Sequence, residues 1–507
     1  MRKTAFIVLS VVLSGCSFLD EHPRDQKMRE EVITSEATLY LNTLGNLYGM
    51  IGSDQAGEGL AGTYRGVYDL NTFTTDEAII PTRGGDWYDG GLWQRLYLHT
   101  WEPAEEPVKN AWTYLYKVIV MANQAIEDLK DKPDWQQEAR AVRALYYYYL
   151  LDMFGRVPIV TSTDVAMADV AQSSRADVFR FVTSELDALA PDLPLERSNL
   201  PGLYYGRITR PVAWFLLAKL YLNAPVYVGE EHWDEVVRYC DLVSSLGYDL
   251  ESRYADNFAI YNEKSVENIF TIPMDKHLYR AQNQYLFRSR HYDHAAAIGF
   301  SGENGSSATL EALDANGFGT ASQDPRFDLN YWGGIPTDLD GNDIDLEYKP
   351  RSVALDVTGT PDEKLAGARM RKYEIDPNAM KDGTLMDNDW VLFRYADVLL
   401  MRAEALLHHG DTEGALILVN AVRDRVGATL FPWITLDMLL EERMREFAWE
   451  GLRRQDMIRF GVFGDAWSFR KPLPSEVSTG YTNVFPIPAD ILALNPKLTQ
   501  NAGYGSD

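Results

Sequence analysis

Residues 390–427 read WVLFRYADVLLMRAEALLHHGDTEGALILVNAVRDRVG, and this stretch decides the fold class. Apolar or small residues return at steps of four and three, at Leu392, Ala396, Leu399, Ala403 and Leu406. Such spacing draws one stripe along an α-helix, because about 3.6 residues complete a turn. Gly410 can end this helix and Asp411 can cap a following one. The stretch therefore predicts a pair of antiparallel helices over 389–409 and 411–426.

Comparable helical stripes lie along much of the remaining chain, at 35–51, 106–129, 133–153, 175–190, 209–223, 232–246 and 436–459. Short connections separate many of them, and small residues such as Ala403 and Ala415 fall where two helices would cross closely. This arrangement is similar to tetratricopeptide-like helix pairs, although the repeats are degenerate and not tandem. We therefore predict a mainly α fold whose helix pairs form a scaffold, rather than a solenoid over the whole chain.

Two stretches, 52–104 and 247–388, lack the helical pattern and have an irregular, loop-rich composition. Short apolar runs within them, such as 268–272, indicate a few short strands. Long structured loops on a rigid scaffold are where function usually lies. We divide the chain into a lipoprotein signal peptide (1–15), an N-terminal helical part (16–246), an irregular ligand-face region (247–388) and a C-terminal helical part (389–507).

The N-terminus reads MRKTAFIVLSVVLSGC, in which two basic residues precede a short apolar run. The run is too short to span a bilayer as a mature helix, and it is typical of a secretory signal. Small residues then precede Cys16, as in the lipobox of bacterial lipoproteins. We predict cleavage before Cys16 and attachment of lipid to this residue, which would hold the mature protein on a membrane.

The formal charge of −26 at neutral pH argues against nucleic acid and anionic lipid as partners, because binding to phosphate needs a positive surface. It suits a soluble surface protein with neutral or cationic ligands. Cys240 is the only cysteine besides Cys16, so lipidation of Cys16 leaves no intramolecular disulfide. Cys240 falls on a helical stripe and is interpreted as a small buried residue.

Residues 76–101 read DEAIIPTRGGDWYDGGLWQRLYLHTW and combine aromatic rings, charges and two glycine pairs. Rings pack on the C–H faces of sugars, while charged side chains bind the hydroxyls. Here Trp87, Tyr88 and Trp93 supply rings, and Arg83, Asp86 and Asp89 supply polar groups. Tyr97 and Trp101 are interpreted as core anchors. For Trp87 and Trp93 the sequence leaves ligand contact and core packing equally open.

Other clusters give weaker signals. His291 and His294 lack a third metal ligand at a supporting spacing, and the acidic stretch 338–347 does not follow the calcium-loop pattern, so we expect neither a metal nor a cofactor. Carboxylates are too numerous for their spacing to exclude a glycoside hydrolase. The charged segment 441–456 is interpreted as a packed helix with pairs between residues three and four apart, namely Glu441–Arg445, Glu450–Arg454 and Glu450–Arg453.

Several of these segments carry a resemblance to one family. ERMREFAWEGLRRQDMIRFG (442–461) resembles the C-terminal signature of the SusD/RagB family of Bacteroidetes outer-membrane lipoproteins, and FPIPADILALNPKLTQNAGY (485–504) is similar to its terminal motif. The helix pair at 390–427 and EARAVRALYYYYLLDMFGRVPIV (138–160) match further family motifs. The resemblance therefore spans nearly the whole chain.

The resemblance implies a function. Members act as lids on SusC-like TonB-dependent transporters and capture glycans, or in some cases peptides, at the cell surface; they are not enzymes. It implies ligand-binding roles for Asp76, Arg83, Asp86, Trp87, Trp93, Tyr292 and Trp332. Tyr279, Tyr285 or Tyr331 are alternatives to the last two. We thus predict a lipid-anchored glycan-binding protein of the outer membrane, the alternatives being a peptide-capturing lid, a glycoside hydrolase or an adaptor for partner proteins.

Overall fold

The computed structural model describes residues 36–53, 55–60, 63–166, 169–278 and 282–505. The predicted signal peptide, Cys16 and Tyr279 lie outside these residues. Within them, none of the helices has both the length and the apolar composition that crossing a bilayer requires.

The fold is mainly α-helical, as the sequence stripes predict. The helices of ten or more residues in the described ranges are α1 (Glu106–Asp128), α2 (Pro133–Phe154), α3 (Arg175–Leu189), α4 (Arg210–Leu222), α5 (Trp233–Ser244), α6 (Tyr395–His408), α7 (Thr412–Arg425) and α8 (Leu436–Glu446). Asp411 caps α7, because its side chain accepts a hydrogen bond from the backbone N–H of Gly414 at 2.9 Å. Cys240 is fully buried in α5, as expected.

These helices form one continuous array. Each helix from α1 to α6 packs against the one that follows it, and α8 packs against α6. Helix α5 lies directly on α6, although the irregular region between Ser244 and Tyr395 separates them in sequence. The apolar stripes of neighbouring helices are buried together, which is the arrangement of a tetratricopeptide-like scaffold. The predicted fold class is therefore confirmed.

Short elements fill the segments between the long helices. The short α-helices are Glu36–Tyr40, Asn46–Gly52, Val67–Thr72, Leu92–Tyr97, Ala224–Tyr227, Tyr285–Ser289, Tyr292–Ala297, Leu310–Ala315, Arg326–Asn330, Arg453–Arg459, Pro474–Thr479 and Ala489–Leu494. A π-helical turn spans Leu41–Gly45, and 3₁₀ turns span Asp89–Gly91, Tyr254–Phe258, Pro350–Ser352 and Tyr481–Asn483.

The strands are short and lie mostly in the irregular region. They are β1 (Ala78–Ile79), β2 (Asn268–Ile272), β3 (Ser307–Ala308), β4 (Tyr331–Trp332), β5 (Arg369–Met370) and β6 (Trp390–Arg394). They pair antiparallel as β1–β3, β2–β6 and β4–β5. The predicted strand at 268–272 is confirmed, and β1–β3 joins the early loop to the middle of the chain.

The helix predicted over 389–409 is wrong at its beginning. Residues 390–394 form β6, with Val391 opposite Thr271 of β2, and α6 begins at Tyr395. The aromatic and branched residues of this run favour a strand, and β2 supplies the hydrogen-bonding partner. Leu392 matched the helical step because a short apolar run fits both periods.

The helix predicted over 436–459 is interrupted. It consists of α8 and of Arg453–Arg459, and between them Trp449 and Gly451 have left-handed backbone angles, with φ of 66° and 70°. The turn points Glu450 away from the following helix. Glu450 pairs instead with Lys372 at 2.5 Å and with Arg394 at 2.8 Å.

Because of this turn, two of the three predicted ion pairs, Glu450–Arg453 and Glu450–Arg454, do not form. The pair Glu441–Arg445 is present at 3.5 Å, but Arg453 binds Asp76 at 2.7 Å and Arg454 binds Asp152 at 3.0 Å. Asp152 lies in α2, and Asp76 begins the aromatic stretch 76–101, just before β1. The C-terminal segment therefore ties the early loop and the N-terminal helices together through buried ion pairs.

The buried carboxyl of Glu77 makes the stability of the folded state depend on pH. Its side chain is buried and accepts a hydrogen bond from the backbone N–H of Trp449 at 2.5 Å, and burial raises the pKa of its carboxyl to about 7. The folded state therefore holds this proton more tightly than the unfolded chain, so the stabilising contribution is present near pH 4.5 and is lost as pH rises through 7.

We expect Glu77→Gln to raise the free energy of unfolding at pH 8 by about 1–3 kcal/mol, because glutamine keeps the acceptor and removes the buried charge. At pH 5 the two proteins should differ little, which provides an internal control. Thermal melts of both proteins at the two pH values measure the effect. Equal melting temperatures at pH 8 would contradict it.

Candidate functional site

The loop after β1 turns sharply at two glycine pairs. Gly84, Gly85, Gly90 and Gly91 all have positive φ, between 63° and 103°. Glycine adopts this conformation without the steric cost that a Cβ brings. Trp87, between the two pairs, also has a positive φ of 63°. For a bulky residue such a backbone is costly, and strain of this kind concentrates at ligand-binding sites.

The ring of Trp87 is fixed by three neighbours. Its indole N–H donates to the backbone carbonyl of Glu303 at 2.8 Å, and its ring stacks on Tyr64 with centroids 6.4 Å apart and planes 25° apart. Gly305 lies against the ring, since a Cβ at that position would be 2.6 Å from the indole. Trp87 is half-buried, so part of its ring is held in place while part meets solvent.

An open cavity of about 660 Å³ lies in front of Trp87. The residues around it come from the segment after the first helices, the glycine loop, the beginning of α1 and the middle of the chain. They are Ala56, Tyr64, Arg65, Asp86, Trp87, Asp89, Glu106, Asn110, Tyr292, Gly302 and Glu303. The combination of aromatic faces with charged and amide groups suits a ligand that has both C–H faces and hydroxyls.

Two groups of charges order the rim of this cavity. Asp86 accepts hydrogen bonds from Tyr292 at 3.1 Å and from Lys364 at 3.0 Å, and the bond from Lys364 lowers the pKa of the Asp86 carboxyl. Arg65 bridges Asp89 at 3.0 Å and Glu106 at 2.7 Å. Both cations of the rim are therefore already paired with carboxylates of the protein, and Arg65 is shared between two of them.

A second, smaller cavity adjoins the first and shares Ala56 and Tyr64 with it. Its volume is about 270 Å³, and its other residues are Gln55, Thr63, Gln282, Gln284, Phe287, Lys381, Asp382 and Thr384. Amide and hydroxyl side chains dominate this lining, and both can donate and accept hydrogen bonds. Together the two cavities form a continuous surface across Tyr64.

The structure separates the seven predicted ligand residues into two groups. Asp86, Trp87 and Tyr292 line the larger cavity. The side chains of the other four are buried in contacts with the protein itself. Asp76 is paired with Arg453, and Arg83 donates to Ser307 at 2.9 Å and to the carbonyls of Glu363 and Ala366.

The two remaining tryptophans are also buried. Trp93 is 2% exposed and its indole N–H donates to Asp89 at 2.7 Å. Trp332 is 8% exposed, and the guanidinium of Arg371 covers its ring at 4.0 Å. Of the alternatives, Tyr285 and Tyr331 are each 1% exposed. Tyr97 and Trp101 are buried, which confirms their interpretation as core anchors.

Several cavity residues were not singled out from the sequence. These are Tyr64, Arg65, Glu106, Lys364 and Glu303. Tyr64 and Arg65 belong to the irregular stretch at 52–104, so their region was indicated but their roles were not. Glu303 lies in a run of glycine, serine and asparagine, and the only sequence signal is the turn chemistry around it.

The weaker metal candidates have other partners. The Nδ1 atoms of His291 and His294 meet the backbone N–H of Asp293 at 3.1 Å and the hydroxyl of Tyr348 at 2.9 Å. In the acidic stretch, Asp338 accepts hydrogen bonds from Asn342. Among the residues that the structure describes, no group of three or more His, Cys, Asp or Glu side chains is placed to hold a metal ion.

Fold and site together define a helical-pair scaffold that carries an open aromatic cavity. Sequence profiles of known protein families match two parts of the chain. The profile of the SusD family matches residues 322–504, and a profile described as starch-binding and associating with the outer membrane matches residues 17–222. The chain belongs to the SusD/RagB family, as the motifs indicated.

Individual relatives agree with this assignment. The starch-binding protein SusD of Bacteroides thetaiotaomicron is 26% identical over 502 residues, which covers 89% of this chain and 87% of the relative. SusD-like protein P25 of Formosa agariphila is 25% identical and covers 78% of this chain and 80% of its own.

Solved structures share the fold. A laminarin-binding SusD-like protein superposes with a TM-score of 0.72 at 23% identity, covering 93% of this chain and all of the other. Surface glycan-binding protein A from Bacteroides uniformis gives a TM-score of 0.70 at 21% identity, with 95% and 100% coverage.

Proposed function

We propose that this protein captures an oligo- or polysaccharide in the cavity in front of Trp87 and delivers it to a SusC-like TonB-dependent transporter of the outer membrane. The observation that carries the proposal is the cavity itself. It combines the fixed ring of Trp87 with the hydroxyl of Tyr292 and the carboxylate of Asp86, groups that match the C–H faces and hydroxyls of a sugar.

The size of the site favours an oligosaccharide over a single sugar. The two adjoining cavities share Ala56 and Tyr64, so a chain bound against Trp87 can continue toward Gln284 and Thr384. Each ring contact contributes only about 1 kcal/mol, so affinity grows with the number of sugar units engaged.

The placement at the cell surface rests on the family and on the leader. Relatives include a starch-binding protein, and one matching profile is described as associating with the outer membrane. Lipid on Cys16 would tether the protein beside its transporter and raise the effective concentration of captured ligand.

We infer binding rather than catalysis, because the relatives with a described activity are binding proteins. The hydrogen bond from Lys364 lowers the pKa of the Asp86 carboxyl, which is unfavourable for a general acid. Capture of peptides is the second candidate within the same family.

The purified mature protein should bind at least one soluble glycan in a panel that includes starch and laminarin, and should release no reducing ends from it. Gel retardation and calorimetry measure the binding, and a reducing-end assay measures hydrolysis. Binding of peptides without any glycan would move the conclusion to the peptide-capturing lid. Release of reducing ends would establish an enzyme.

A further inference from the structure

Within the proposed function, we infer that the cavity selects its glycan by charge. It admits neutral or amine-bearing sugars and rejects those that carry carboxylate or sulfate groups, and Glu303 is the residue that determines this specificity. The inference rests on the glycan-binding function proposed above and concerns the chemical class of the ligand.

The first observation is the balance of charges around the cavity. Four of its lining residues are acidic (Asp86, Asp89, Glu106 and Glu303), whereas Arg65 is the basic one. Lys364 adds a second cation at the rim through its ion pair with Asp86. An anionic sugar would therefore enter a region with an excess of negative charge, which is unfavourable within a few ångströms.

The second observation is that both cations are already engaged. Arg65 binds Asp89 and Glu106 at once, and Lys364 binds Asp86 at 3.0 Å and the backbone carbonyl of Arg83 at 3.1 Å. A ligand carboxylate could recruit either cation only by displacing a protein carboxylate. Recognition of anionic groups in proteins normally uses arginines that are free to form paired hydrogen bonds.

Glu303 gives the third observation. It lines the cavity, and its Oε2 atom is buried without a hydrogen-bond partner among the described residues. Its backbone is fixed, because the carbonyl accepts from Trp87 at 2.8 Å and the N–H donates to Phe287 at 2.9 Å. Glu303 itself is half-buried, and a carboxylate with an unpaired oxygen can bind a hydroxyl or an ammonium group, whereas it repels another anion.

Other charged residues lie near the cavity but outside its lining. Arg83 and Arg369 are at most 1% exposed, and their terminal NH groups donate to backbone carbonyls, Ser307 and Asn304, so a ligand in the cavity cannot reach them. The adjoining cavity holds one lysine and one aspartate, Lys381 and Asp382, which add no net charge.

The charge of Glu303 depends on pH in a range that experiments reach. Burial raises the pKa of its carboxyl to about 7, so it is mostly neutral at pH 6 and ionised at pH 8. The other titratable or charged groups around it are Asp86, Asp89, Glu106, Arg65, Lys364, Tyr292, His291 and, behind the loop, Arg288 paired with Asp69. Burial lowers the pKa of His291, which favours the neutral form of that ring.

Matched polysaccharides test the inference. Starch and laminarin are each compared as hydroxyethyl and carboxymethyl derivatives at equal substitution, because the two substituents are similar in size and differ in charge. We expect the mature wild-type protein at pH 8 and low salt to bind the carboxymethyl form at least tenfold more weakly than the hydroxyethyl form. High salt should reduce this difference in affinity, since mobile ions screen the repulsion.

The variant Glu303→Gln tests how much Glu303 contributes to the charge selection. The ratio between the two forms should fall about threefold or more in this variant at pH 8, and its dependence on pH between 6 and 8 should disappear. Glu413→Gln, which removes an exposed carboxylate on α7, is the control and should keep the wild-type ratio.

The possible outcomes distinguish charge selection, the role of Glu303 and glycan capture itself. Equal or tighter binding of the carboxymethyl form overturns the charge selection and leaves glycan capture intact. An unchanged ratio in Glu303→Gln overturns the role of this residue. Failure of starch, laminarin and all their derivatives to bind counts against the proposed function itself, and with it the inference.

Discussion

Replacement of Glu446 by glutamine is expected to lower the free energy of unfolding by about 3–5 kcal/mol. Glu446 is fully buried at the end of α8 and binds three arginines: Arg326 at 2.9 Å, Arg394 at 2.7 Å, and Arg425. Glutamine keeps the shape but removes the charge, which leaves buried guanidinium groups short of a countercharge.

The effect should appear as lower midpoints in both thermal and urea unfolding. Burial by itself would raise the pKa of Glu446, but Arg425, Arg394 and Arg326 hold it well below its ordinary value. The stabilisation from the ionised Glu446 is therefore fully present above about pH 4.5 and is lost as pH falls through its lower pKa in the folded state. The difference between wild type and variant should shrink in acid.

Glu441→Gln on the same helix is the matched control. Glu441 meets Arg445 at 3.5 Å but its side chain is 64% exposed, and an exposed ion pair contributes at most about 1 kcal/mol. If Glu446→Gln were no more destabilising than Glu441→Gln, the ion cluster would not hold the C-terminal segment as we describe.

Replacement of Trp87 by alanine is expected to weaken glycan binding at least tenfold. The loss corresponds to about 1.4 kcal/mol or more, which is typical of a tryptophan at the centre of a binding surface. The ring is held by Glu303, Tyr64 and Gly305, so it is already positioned before the ligand arrives. Calorimetry with the glycan identified in the panel measures the change.

Trp433→Ala is the control, because Trp433 is 64% exposed and lies outside both cavities. Its removal should leave the dissociation constant unchanged. Circular dichroism should show that Trp87→Ala remains folded, so that a weaker affinity reports on the site. An unaltered affinity in Trp87→Ala would show that the ligand binds elsewhere. Trp332→Ala, by contrast, should affect stability, because the ring is covered by Arg371.

The helical scaffold could be predicted from the sequence because its signal is local. A stripe such as that of 133–153 records which face of one helix is buried, and α2 follows it closely. The sequence predictions were wrong where a partner distant in the chain determined the conformation of a segment. Residues 390–394 became a strand because β2 lies beside them, and Glu450 changed its ion pairs because the backbone turns at Trp449.

The candidate site was likewise predictable in part, where the signal is local, and unpredictable where packing decides. The sequence indicated the region between 76 and 101, and it named Asp86 and Trp87, because glycine pairs and aromatic residues mark a turned, ligand-facing loop. It could not separate them from Asp76, Arg83 and Trp93, which have the same chemistry. Only packing decides that difference.

The sequence by itself determined the family, the helical scaffold and the composition of the ligand-binding loop, since each of these is written in short stretches of neighbouring residues. The tertiary structure alone decided which side chains line the cavity. Asp76 is buried because Arg453 reaches it across the chain, and Glu303 joins the cavity because its carbonyl receives the indole N–H of Trp87. In these irregular segments burial depends on residues brought together by the fold, and no periodic pattern records it as it does along a helix.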